Sequence, residues 1–160
     1  LDNLDYTNNR DYFKSGIRIC QRMGISFVNG VECEIKSKIP FQAGTSSSSA
    51  IVVGWISFLA QLFDPPPKWS TKKIGELAYL AESVEFGEPG GMMDQYTTAC
   101  GGLLKIESEP NVSLQKIESK LGSFVLGDSC EPKKTLEILD RCKNLRMNIL
   151  YKLKSVNPNF

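Results

Sequence analysis

Pro40-Phe41-Gln42-Ala43-Gly44-Thr45-Ser46-Ser47-Ser48-Ser49-Ala50 runs directly into Ile51-Val52-Val53-Gly54-Trp55-Ile56-Ser57-Phe58-Leu59-Ala60-Gln61-Leu62-Phe63. The second piece is apolar almost all round, which predicts a buried helix. Its N-terminus falls in the serine run, because serine is a strong N-cap and a poor helix-interior residue. Just upstream, apolar Val31, Cys33, Ile35 and Ile39 alternate with charged residues, the pattern of a half-buried strand that Pro40 ends. A strand, a glycine-containing loop and a buried helix in that order make an anion site. Free backbone N–H groups and the positive end of the helix dipole point at whatever binds there. Gly44 lets the backbone approach a ligand closely. Serine hydroxyls can donate to phosphate oxygens, and one can ligate a magnesium ion. The Gly-Lys-Ser/Thr ending of a Walker A loop is absent, and the loop is not a dinucleotide fingerprint either. The alternative is a flexible serine-rich turn that binds nothing. A linker, however, has no reason to run straight into a fully apolar helix.

Outward from this centre, Phe13, Ile17, Cys20 and Met23 fall at helical spacing, so residues 11–23 predict an amphipathic helix with Gly24 as its stop. After the break at Pro65-Pro66-Pro67, Ser70 caps a helix expected from Thr71 to Phe86, with Ile74, Leu77, Ala78, Ala81 and Val84 on one face. Gly87-Glu88-Pro89-Gly90-Gly91 cannot continue it. A short helix follows over Met92 to Ala99, with Asp94 near its start. Gly101-Gly102 is a turn. Leu103 to Glu107 reads as a strand, with a further strand around Val112 to Ile117. Ser123 to Leu126 reads as a short buried strand. Pro132 opens a long charged amphipathic helix, about Lys134 to Leu153.

Glu82 and Asp94 are the carboxylates of interest. The default for Glu82, at the end of a helix, is a solvated surface charge. Asp94 sits beside Met92-Met93, which suggests partial burial, and an aspartate after a glycine turn is more often an N-cap than a base. Together with the serine loop they suggest phosphoryl transfer. That chemistry needs a phosphate cradle, a metal-binding carboxylate and an aspartate that accepts a hydroxyl proton.

Composition narrows the chemistry. The chain has 160 residues with 19 Lys+Arg against 18 Asp+Glu, a net charge of +1, and no histidine. The length fits one domain, or one and a fragment. The charge leaves no electrostatic footprint for nucleic acid or an anionic membrane. Zero histidines exclude Ser-His-Asp and Cys-His catalysis and His-ligated zinc. Five scattered cysteines without a CxxC pair read as reduced thiols of a cytoplasmic protein. The apolar run from Ile51 to Phe63 is too short to span a bilayer, and the first residues lack the pattern of a signal peptide.

The loop, read as Pro40-x-x-x-Gly44-x-Ser46-Ser47-Ser48-Ser49-Ala50, resembles the phosphate loop of the GHMP small-molecule kinases. Gly87 to Gln95, ending Gly-x-Met-Asp-Gln, is similar to the galactokinase-like branch in particular. Phe13 to Ile17 and Gly101 to Leu104 extend the likeness, which covers about Phe13 to Asp128, the scale of one domain. The resemblance implies an α/β fold (α+β, two-layer), with a ribosomal-protein-like N-terminal domain over residues 1–122. Residues 123–160 would then be a linker strand and the first helix of the C-terminal domain. It also implies ATP and Mg2+ as cofactors. Gly44, Ser46, Ser47, Ser48 and Ser49 would wrap the nucleotide phosphates. Ser48 and Glu82 would ligate magnesium, and Asp94 would act on a hydroxyl of a small sugar as base or as electrostatic anchor.

Thr45 stands where the family usually has leucine and Ser49 where it has alanine, small shifts in polarity. The family's N-terminal sugar-contact segment (an arginine and a Gly-Glu-His-x-Asp-type sequence) and its C-terminal glycine-rich motif have no match in these residues. The chain is therefore expected to be the middle of a larger kinase and inactive alone. The implied function is ATP-dependent phosphorylation of a sugar. Rival expectations are a GHMP kinase for a heptose, fucose, arabinose, uronic acid, mevalonate or homoserine, or a non-catalytic nucleotide- or sugar-sensing relative.

Overall fold

The computed structural model describes residues 4–41, 43–127, 130–131 and 135–158. Helix α1 is Tyr12–Arg22, α2 is Ser47–Gln61, α3 is Thr71–Tyr79, and α4 is Met93–Cys100. A hairpin of β1 (Leu104–Glu107) and β2 (Ser113–Lys116) follows, and then α5 (Thr135–Val156). Gln42, Asp128, Ser129 and the expected start of α5 at Pro132, Lys133 and Lys134 lie outside the described residues.

The serine-loop helix α2 is the structural centre, as its all-round apolar sequence requires. Val52, Val53, Trp55, Ile56, Leu59 and Ala60 are buried on it. Helix α1 brings Ile19 and Cys20 to the same core, and α3 brings Leu77 and Ala78. α3 also packs on α4. Side-chain caps fix two of these starts. Asp11 accepts from the Lys14 N–H at 3.2 Å, and Ser70 accepts from the Lys73 N–H at 3.2 Å. Gly24, at φ +86°, ends α1 in the left-handed region that glycine enters without strain. Burial in this core pushes the Cys20 thiol up to about 12.

The close approach of α1 and α2 depends on Gly16. A Cβ there would stand 2.6 Å from Trp55 Cδ1 and 2.9 Å from its Nε1. That indole N–H donates to the Phe13 carbonyl at 2.9 Å. Gly16→Ala should therefore cost about 1–3 kcal/mol through overpacking, a fall of roughly 2–4 °C in Tm for each kcal/mol in a chain of this size. Gly54→Ala in α2, where a Cβ meets nothing within 4 Å, should stabilise by about 0.5–1 kcal/mol. Thermal denaturation followed by circular dichroism checks both, and an unchanged Tm for Gly16→Ala would show that Trp55 yields freely.

Several expectations are corrected. Residues 31–39 form no strand and pair with none among the described residues, and Val31, Ile35 and Ile39 are exposed. Cys33, Ile35 and Ile39, together with the polar Glu34, Lys36 and Ser37, line a pocket with Ala50, Ile51, Trp55 and Phe58 of α2. A β-ladder also needs a neighbouring backbone, which alternation cannot supply. Residues 123–126 form no strand and are not buried. Phe124 is 83% and Val125 96% exposed. The sheet is a two-stranded antiparallel hairpin, with Leu104 opposite Lys116 and Glu107 opposite Ser113. Helices and a small antiparallel sheet together are α+β.

The helix expected to run from Thr71 to Phe86 changes pitch. Leu80–Val84 is a π-helical turn, and the Glu85 N–H reaches five residues back to the Leu80 carbonyl at 2.9 Å. The wider turn shifts the phase of everything after it. Val84, expected on the core face, is 50% exposed, while Ala81, Glu82 and Ser83 are buried. Ser15 on α1 tethers the turn by donating its hydroxyl to the Ala81 carbonyl at 2.8 Å. Just beyond, Glu85 accepts from Tyr6 Oη and Arg22 Nη1, each at 2.6 Å. Burial works against its charge, but these hydrogen bonds and the positive Arg22 and Arg18 hold its carboxyl below the usual range.

Candidate active site

The N-terminus of α2 differs from those of α1 and α3. Its N-cap residue, Ser46, sits at φ 54°, ψ 38° and gives no side-chain cap. Gly44, two residues earlier, is at φ +73°. Two left-handed residues turn the chain sharply into the helix and leave the first-turn N–H groups of α2 without a hydroxyl cap. The Thr45 hydroxyl instead braces the loop by donating to the Pro40 carbonyl at 3.2 Å. Helix α4 also starts without a side-chain cap, at Met92.

These two helix starts meet. Ser48 and Ser49 from α2, Glu82 and Ser83 from the π turn, Gly90 and Gly91 from the loop, and Asp94 and Gln95 from α4 line one cleft of about 340 Å³. Two positive helix ends over one cleft favour an anion there. Glu82, Glu88 and Asp94 put carboxylates on the same walls. Anionic oxygens beside these carboxylates require a cation between them.

Of the residues singled out in the sequence, Ser48, Ser49, Glu82 and Asp94 share this cleft. Gly44, Ser46 and Ser47 do not line it; Gly44 and Ser46 lie on the approach to α2, and Ser47 is its first residue. Glu82 is not the solvated charge expected by default. It is 7% exposed, and its Oε2 accepts from Gln95 Nε2 at 2.6 Å. It follows Ala78 by four residues and Gly75 by seven, both buried, and so lies on the packed side of the helix. Asp94 departs in the opposite direction. It is exposed in the first turn of α4, and the neighbouring Met93 is 64% exposed, so the two methionines do not bury it.

Three participants were not anticipated. Arg10 and Glu88 form a two-pronged ion pair on the cleft wall, Nε to Oε1 and Nη2 to Oε2, the second at 2.6 Å. They are 78 residues apart, beyond any local pattern. Gln95 is 3% exposed, and its Oε1 is a buried acceptor with no hydrogen-bond partner among the described residues. An orphaned oxygen beside a buried carboxylate suits a site that a hydrated cation completes. Among the described residues no three carboxylate, thiol or imidazole side chains are grouped to hold a metal alone. A cation at Glu82 would need phosphate oxygens to fill its shell. No helix among the described residues is long and apolar enough to cross a membrane.

The family described as the GHMP kinases N terminal domain matches residues 11–102. That span runs from the cap of α1 to the turn before β1 and contains the serine loop, Glu82 and Asp94. Comparison with curated proteins found no match, and comparison with solved structures found none.

Proposed function

This chain belongs to the GHMP kinase family, whose members are ATP-using kinases, and from that premise we propose that it carries the catalytic cleft of an ATP-dependent sugar kinase of the galactokinase-like branch. The observation that carries the reading is the meeting of Ser48, Glu82 and Asp94, from three separate elements, in one cleft under two helix N-termini. In this reading residues 1–122 are the N-terminal domain and residues 123–160 begin the second.

The backbone N–H groups at the start of α2, with Gly44 and Ser46 to Ser49, bind the β- and γ-phosphates. Ser48 and Glu82 hold magnesium, which when bound neutralises charge on those phosphates. Asp94, exposed at the cleft mouth, orients the sugar hydroxyl and accepts its proton as the oxygen forms its bond to the γ-phosphorus. The bond from phosphorus to the oxygen bridging to ADP breaks, and ADP carries away that electron pair. Glu82, Ser83 and Gln95 form the buried wall of the cleft.

Kinase assays of the full-length protein against a panel of sugars and non-sugar alcohols test the substrate class. Turnover of a non-sugar alcohol alone would overturn the sugar assignment. Ser48→Ala should weaken Mg-ATP binding by about 10–100-fold, the loss of one contact to a charged group. Isothermal calorimetry reads this directly, and unchanged affinity would remove Ser48 from the metal site.

A further inference from the structure

Gln95 is the least expected member of the cleft. Its amide is buried on α4, yet only one end is in use. Nε2 donates to Glu82 Oε2, and Oε1 accepts from nothing among the described residues. A buried acceptor without a donor costs about 1–3 kcal/mol, so a purely structural side chain of this size would be better apolar. Glu82 has the complementary arrangement. One carboxylate oxygen accepts from Gln95, and the residue lines the cleft.

We infer that Gln95 is a positioning residue for the cation site, an inference that rests on the magnesium reading above. Nε2 holds the Glu82 carboxylate in its ligating orientation, and Oε1 accepts a hydrogen bond from a water molecule in the cation's hydration shell. The chemistry suits this division. Magnesium dehydrates reluctantly and keeps several waters, whose O–H groups need acceptors. Groups that orient a metal ligand without touching the metal typically alter affinity about 10–100-fold when removed. The orphaned oxygen is thus satisfied when the site fills, and the glutamine couples cation arrival to the start of α4, one residue from Asp94.

The test uses the full-length protein with a non-hydrolysable ATP analogue and Mn2+ as a spectroscopic stand-in for magnesium. Electron paramagnetic resonance counts free Mn2+. Gln95→Met, of similar length but without donor or acceptor, should weaken Mn2+ binding about 10–100-fold while its thermal melt remains cooperative. A second measurement needs no variant. The Gln95 side-chain amide resonances in a 1H–15N spectrum of the wild type should move when Mg2+ is added to the analogue complex. Wild-type Mn2+ affinity in Gln95→Met, or an unmoved Gln95 amide, overturns the role of Gln95 and leaves the cation site standing. If the wild type holds no Mn2+ and Glu82→Gln behaves identically, the cation reading itself fails, and this inference with it.

Discussion

Asp94→Asn should reduce kcat by about 10²–10⁴, the usual contribution of a positioned proton acceptor, with ATP affinity unchanged. The carboxylate is exposed in the first turn of α4, caps nothing with its side chain, and lines the cleft. Replacing it with an isosteric amide therefore removes an acceptor for the hydroxyl proton and little else. The fold should be indifferent, because no buried contact is lost. The decisive pair of measurements is kcat by a coupled ADP assay and nucleotide affinity by calorimetry. Near-normal turnover would show that the γ-phosphate is transferred without help from Asp94. A parallel loss of ATP affinity would assign the residue to the nucleotide.

Glu82→Gln should act in two directions at once. Activity should fall by roughly 10²–10³, the loss of several kcal/mol of charge stabilisation supplied through a metal ligand. Stability should rise by about 0.5–2 kcal/mol, the usual size of the trade-off at a strained functional position. The Glu82 carboxylate is 7% exposed and accepts one short hydrogen bond from Gln95, and burying a carboxylate costs stability where its pairing is incomplete. A neutral amide keeps an acceptor for that bond and removes the charge. Thermal melts without nucleotide give the sign. A lower Tm would mean that the carboxylate is a structural strut, fixed by interactions that a neutral group cannot replace.

The contrast between these two carboxylates marks where sequence reading succeeds. Helices α1 to α4 and strand β1 were legible because apolar periodicity, the cap at Ser70, and breakers at Gly24 and the 65–67 prolines are local signals. The serine loop was legible for the same reason, with its helix beginning within the serines. The segment 31–39 misled because alternation reports a face, whereas a strand also needs a partner. Glu82 was singled out through a family likeness, while its burial was not readable. Burial follows from α4 bringing Gln95 against that side of the helix, and the exposure of Val84 from a π pitch that Leu80-Ala81-Glu82-Ser83-Val84 has no glycine or proline to announce. Arg10 with Glu88 and the free end of Gln95 are products of tertiary packing, and local pattern carries no trace of them.

The π-helical turn has a consequence for how this protein can vary. Side-chain direction beyond Tyr79 is set by how many residues the turn holds, and far less by which ones. Substitution at Leu80 or Val84 alters packing but leaves Glu82 facing Gln95. Deleting a residue from α3, just ahead of the turn, would swing the following side chains by about 100° around the axis, unless the wide turn closed to ordinary pitch and absorbed the loss. Only a swing that the turn did not absorb would carry Glu82 out of the cleft. At this point the site is encoded as a length. Insertions and deletions here reach the chemistry directly, even though the nearest reacting group belongs to another helix.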